Sequence, residues 1–158
     1  KQRNIESFSI KLNPFKLMKF YNKPLPLEKR SKWVMDSIEF FKNTDVIFLD
    51  PDNGVSFKNY GKKALKYIQL DDLKTYYLNN KIVIFTQFQS YNLSHKKYLQ
   101  KIITKLKEND LHSDYPILRN RTSPNTFYIT ISRFNDNKFS KILKNYSENF
   151  QKVDIVTF

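Results

Sequence analysis

Hydrophobic and polar positions along the chain fall into strand-like and helix-like stretches. Two short, near-continuous apolar runs, in 45-DVIFLD-50 and 81-KIVIFTQF-88, have the makeup of buried strands, the second of a central parallel strand covered on both faces. Between and after them apolar residues recur at helical spacing. Val34, Ile38 and Phe41 do so in 28-EKRSKWVMDSIEFFKN-43. Leu99, Ile102, Ile103 and Leu106 form the stripe of 92-NLSHKKYLQKIITKLKEND-110, with Lys97, Lys101 and Lys105 on roughly the opposite side. Phe139, Ile142, Leu143, Tyr146 and Phe150 keep register in 137-NKFSKILKNYSENF-150. A shorter helix is expected over 71–80, with Asp71 as N-cap and Asn79-Asn80 as its stop. Two further strands, 116-PILRNR-121 and 126-TFYITIS-132, read as a hairpin across Thr122-Ser123-Pro124-Asn125, and VDIVTF closes the sheet. The stretch 5-IESFSIKL-12 has the pattern of one more short strand. Helix and strand alternate throughout, which predicts an α/β sandwich with a mostly parallel sheet and one antiparallel insertion.

At 158 residues and 40% hydrophobic content the chain is long enough for a single α/β domain, and neither a repeat nor a low-complexity linker divides it. No apolar run approaches the roughly 18 residues of a membrane span, and KQRNIESFSI lacks the hydrophobic region of a signal peptide. A soluble, cytoplasmic protein with no membrane partner is expected. The absence of Cys excludes a disulfide framework and thiolate metal sites, and His95 and His112, the two histidines, read as surface residues. No metal is expected unless carboxylates hold it.

Charge changes the picture more. With 28 Lys plus Arg against 15 Asp plus Glu, the net charge is +13, which favours a polyanion: nucleic acid, RNA or DNA, before an acidic membrane surface. An AT-rich coding sequence would also enrich Lys, Asn, Ile, Tyr and Phe, so a plain solvated basic surface stands as the alternative.

In open α/β sheets ligands bind beyond the carboxyl ends of the central strands. Here those ends are Asp50-Pro51-Asp52-Asn53-Gly54 and Thr86-Gln87-Phe88. Asp50 and Asp52 can accept from an amine or hold a divalent cation, and Asn53 offers a donor and an acceptor to a base edge. The same residues also make a favoured turn, because Pro pre-sets φ and Asn-Gly tolerates positive φ.

Trp33, the strand ending 49-LDPDNG-54, Lys66-Tyr67, Asp72-Leu73 and a second strand ending in Gln87 together resemble a family of uncharacterised bacterial proteins, over roughly residues 28–133. That family is similar in turn to the adenine-N6 methyltransferases that act on large-subunit ribosomal RNA. Their D-P-P-Y motif holds the target amine on the Asp and the first Pro carbonyl, and its ring stacks on the flipped base. The resemblance implies a Rossmann-like, methyltransferase-type fold, of which this chain looks like the C-terminal half, with Asp50, Pro51, Asp52 and Asn53 as catalytic residues.

Two departures qualify it. Asp52-Asn53 stand in place of Pro-Tyr, so a stacking ring has to come from elsewhere, with Phe88 and Tyr60 as candidates. The implied cofactor, S-adenosylmethionine, needs a glycine-rich turn after an early strand, and no Gly precedes Gly54. That cofactor is therefore expected only if an upstream segment supplies the turn, Lys1 beginning partway through a longer chain; the other reconciliation is a degenerate N-terminal half.

The expected substrate-binding set interleaves cations and rings: Lys58, Tyr60, Lys63, Lys66 and Tyr67 on the loop, with Gln87, Phe88, Arg119 and Arg121 around it. Two other functions fit the residues. One is a non-catalytic basic module that binds nucleic acid or protein. The other is a metal-dependent nuclease using Asp50 and Asp52, with Asp72 and Lys74 as a D-x-K pair, although 70-LDDLK-74 reads as a helix start.

Overall fold

Strand β1 (Val46–Leu49) follows helix α1 (Arg30–Phe40), and a two-residue strand β2 (Val55–Ser56) follows the turn at Asp50 to Gly54. A 3-10 turn (Gly61–Lys66) leads to β3 (Ile68–Gln69), helix α2 (Leu70–Leu78), β4 (Ile82–Phe88) and helix α3 (His95–Lys107). The chain ends with β5 (Leu118–Asn120), β6 (Thr126–Ile131), helix α4 (Asn137–Asn149) and β7 (Val153–Ile155). This computed structural model describes residues 18–58 and 61–158, so the strand expected at 5–12 and the side chain of Tyr60 lie outside the described residues.

The main sheet runs β1-β4-β6-β5-β7, and β2 pairs β3 in a small parallel sheet of its own. Only β1 and β4 pair in parallel within the main sheet; β4 with β6, β6 with β5, and β5 with β7 are antiparallel. The expected α/β class and the hairpin at 118–131 are found. The mostly parallel sheet is not, and the reason is adjacency. After α3 the chain does not place β5 beside β4; it leaves a gap that β6 fills by folding back, antiparallel to both, and β7, which runs with β6, pairs antiparallel on the far side of β5.

Register assigns the two faces. Ile47, Leu49, Val83, Phe85, Phe127, Ile129 and Ile131 share one face, and there α1, α2 and α3 bury them with Val34, Ile38, Leu73, Tyr76, Leu99 and Leu106. Phe48, Ile84, Thr86, Phe88, Tyr128 and Leu118 share the other. On that side α4 covers only the β5/β6/β7 half, packing Leu143 and Phe139 with Tyr115, Leu118 and Val153. Among the described residues no helix lies over the β1/β4 half, so Phe48 is 52% exposed. Strand β1 is thus buried on one face rather than two.

Buried polar groups tie the corners. Lys81, at the start of β4, donates its ammonium to the carbonyls of Phe41 (3.0 Å), Lys42 (3.1 Å) and Thr44 (2.7 Å), closing the C-terminal end of α1. Ser37 and Tyr76 join α1 to α2 through a 2.6 Å hydroxyl contact, and burial raises the Tyr76 phenol above its usual range. Trp33 donates to Lys23 O (3.1 Å) and packs edge-on against Tyr21 at 5.0 Å. Among the described residues no helix is long and apolar enough to cross a membrane.

Candidate functional site

The turn 50–54 is held from below by a brace that draws together residues far apart in sequence. Gly54 sits at φ +82°, and a Cβ there would lie 2.4 Å from Gln87 Oε1. That closeness serves a bond: the buried Gln87 accepts from the Val55 amide (2.8 Å) and donates to the Tyr98 hydroxyl (2.5 Å). Burial raises the Tyr98 phenol, with the Gln87 bond opposing it. Above this, the Asn53 amide donates to Lys66 O (2.9 Å) and the Ile68 amide to Gly54 O (3.0 Å), which joins the turn to the β2/β3 pair.

Arg30 completes the brace from α1. Its Nε lies 3.0 and 2.9 Å from the two carboxylate oxygens of Asp72, its Nη1 donates to Ala64 O (3.0 Å) and its Nη2 to Tyr67 O (2.7 Å). Asp72 also accepts from the Gln69 amide (2.8 Å), so Gln69 and Asp72 form a capping box and α2 starts at Leu70. Gln69, not Asp71, is therefore the N-cap. The physical reason is Arg30, which holds Asp72 at the third helical position. This also removes the D-x-K pair: Asp72 is committed to Arg30, and Lys74 bonds Asn109 Oδ1 (3.3 Å). Among the described residues no three His, Cys, Asp or Glu converge as a metal site.

Of the residues expected to act, Asp50, Asp52 and Asn53 are exposed at the carboxyl end of β1, and Pro51 is half-buried. Asp50 Oδ1 accepts from the buried Thr86 hydroxyl (2.9 Å). That bond fixes the carboxylate on the open face of the sheet, level with Tyr128, the register partner of Thr86. The Tyr128 phenol is raised mainly by burial and slightly by Asp50, while a bond to Asn120 opposes the shift.

Phe48, two residues before Asp50 and on the same face, stacks against Tyr128 at 6.3 Å with 30° between the planes. Sequence reasoning passed over Phe48 because it belongs to an apolar run. Its place at i−2 from Asp50 was the available signal.

The expected substrate-binding residues divide. Lys58, Lys63 and Lys66 are exposed on the segment beside the turn, where Tyr67 is half-buried. Phe88 shares the open face with Asp50 and Phe48. Gln87 lies on the opposite face, buried in the brace. Arg119 and Arg121 are at the same end of the sheet but about 14 Å away by strand spacing, three strands over.

There Arg119 grips Asp154 with Nε (2.9 Å) and Nη2, and its Nη1 lies 3.3 Å from His95 Nε2. The Arg119 bond holds the Asp154 carboxyl below its usual range. Burial and the adjacent Arg119 hold the His95 imidazole below its own. Arg121 Nε lies 4.0 Å from the same carboxylate, so both arginines are drawn to Asp154, not to Asp50.

The described residues do not form the glycine-rich turn that S-adenosylmethionine is expected to need. The Gly54 backbone is pressed against Gln87, and Gly61, the other glycine, belongs to the 3-10 turn. Compared with known proteins, the chain matches no family model, no curated protein and no solved structure.

Proposed function

We propose that the protein is a methyltransferase-like, nucleic-acid-binding domain whose Asp50–Asn53 turn receives the exocyclic amine of a base. The observation that carries this reading is Asp50 itself: an exposed carboxylate at the carboxyl end of β1, fixed by Thr86 and standing on a turn braced by Gln87 and Arg30. A carboxylate held by one oxygen offers the other to an N–H donor without reorganisation. The Pro51 carbonyl and the Asn53 side chain lie on the same turn as further partners. A Rossmann-like ancestry of the methyltransferase type agrees with the β1-β4-β6-β5 order, in which an antiparallel strand enters between two strands of common direction. The net charge of +13 supports a polyanionic partner.

The proposed role rests on recognition of the amine; methyl transfer would require in addition a glycine-rich turn that the described residues do not supply. The test compares oligonucleotides carrying adenine with the same oligonucleotides carrying unsubstituted purine, which lacks the amine. Wild type should prefer adenine by about ten-fold, the worth of a hydrogen bond to a charged group, and Asp50→Ala, which removes the acceptor, should erase the preference. Equal affinity of wild type for both oligonucleotides would refute the reading. A non-catalytic basic module without base recognition is favoured by the exposed Lys58, Lys63 and Lys66; it predicts steep salt dependence with no adenine preference.

A further inference from the structure

The open half of the sheet carries an aromatic run that the turn alone does not explain. Phe48 is 52% exposed and stacks on Tyr128, and on α4 Tyr146 stacks on Phe150 at 4.3 Å and 30°. Tyr146 and Phe150 are themselves 44% and 50% exposed. We infer that Phe48 and Tyr128 form a stacking shelf for the unpaired bases of single-stranded nucleic acid, with Phe48 as its first platform beside Asp50. This rests on the reading of Asp50 as an amine acceptor and goes beyond it by naming the ring and the strandedness of the ligand.

Three observations select this occupant. First, Phe48 and Asp50 are two residues apart on one face, roughly 6.6 Å along the strand, so a base lying on the Phe48 ring reaches the carboxylate with its edge. Second, the Phe48 and Tyr128 ring planes are tilted by only 30° from one another, so both can lie along one run of stacked bases. Third, the whole chain carries +13, a complement to phosphates. Stacking also supplies what the turn lacks, because Asp52-Asn53 brings no ring and Phe48 stands on the strand that feeds it.

The experiment uses the chain as it stands with matched single-stranded RNA and DNA oligomers, read by fluorescence anisotropy and by quenching of an internal 2-aminopurine. Phe48→Leu keeps the apolar bulk and Phe48→Trp keeps a ring; thermal melting checks that both fold. Phe48→Leu should weaken binding by about ten-fold or more and abolish the quenching, with the salt dependence unchanged because no charge is lost. Phe48→Trp should restore both, and the RNA and DNA arms show which backbone the shelf prefers. Unchanged affinity and quenching in Phe48→Leu overturn the shelf. So does a wild-type oligomer that Phe48→Leu dissociates while oligonucleotide binding stays the same, which would make the face a protein interface. Loss of the Phe48 effect with the adenine preference intact refutes the shelf alone. Loss of the adenine preference with the Phe48 effect intact refutes the amine site alone.

Discussion

The two faces of the sheet are built from the same five strands and have opposite fates. On the helix-covered face Phe85 and Phe127 are fully buried among the apolar stripes of α1, α2 and α3; on the other, Phe48, one residue from Ile47 in β1, is half exposed. Nothing in the residue type separates Phe85 from Phe48. The difference comes from which helix lies over each strand: among the described residues α1, α2 and α3 cover one face, while on the other α4 covers only the β5/β6/β7 half and leaves Phe48 exposed.

Substitutions can break that contrast. Phe85→Ala should have the largest effect, about 3–5 kcal/mol of lost stability by chemical denaturation, because a fully buried ring leaves a cavity. Arg30→Met should cost about 3 kcal/mol, since it strands the buried Asp72 carboxylate. Hydrogen exchange at the Asn53 and Val55 amides should quicken in the same variant if the brace holds the turn. Gly54→Ala should cost about 2–3 kcal/mol, from positive φ and the displaced Gln87 amide. Were its melting temperature equal to wild type, the close approach of Gln87 would have no energetic meaning. Phe48→Ser should change stability least, by about 0.5 kcal/mol or less. A large loss there would show that the open face is covered after all.

Much of the architecture was legible in the pattern of residues. The helical stripes of α1, α3 and α4, the strands at 46–49 and 82–88 and the hairpin all appear near their expected places. Alternation of helices and strands determined strand direction but not adjacency. The gap filled by β6 depends on long-range packing that no local window contains, and the mostly parallel expectation failed there. The candidate site was half legible. Turn chemistry pointed to Asp50–Gly54, but the Arg30–Asp72 pair spans 42 residues and the Gln87–Val55 bond 32, and neither leaves a local trace. Lys66, Tyr67, Asp72 and Gln87 meet in the brace under the turn, where their side chains or carbonyls fix its backbone.

Lys81 has a use of a different kind. The lysines of α3 and α4 stand in solvent, whereas the Lys81 ammonium is enclosed by three carbonyls at the end of α1. An amine-reactive reagent would label the exposed lysines within its own chemical lifetime and reach Lys81 only when that corner opens. Its labelling rate would be a built-in clock for local unfolding, readable by mass spectrometry without a probe being attached.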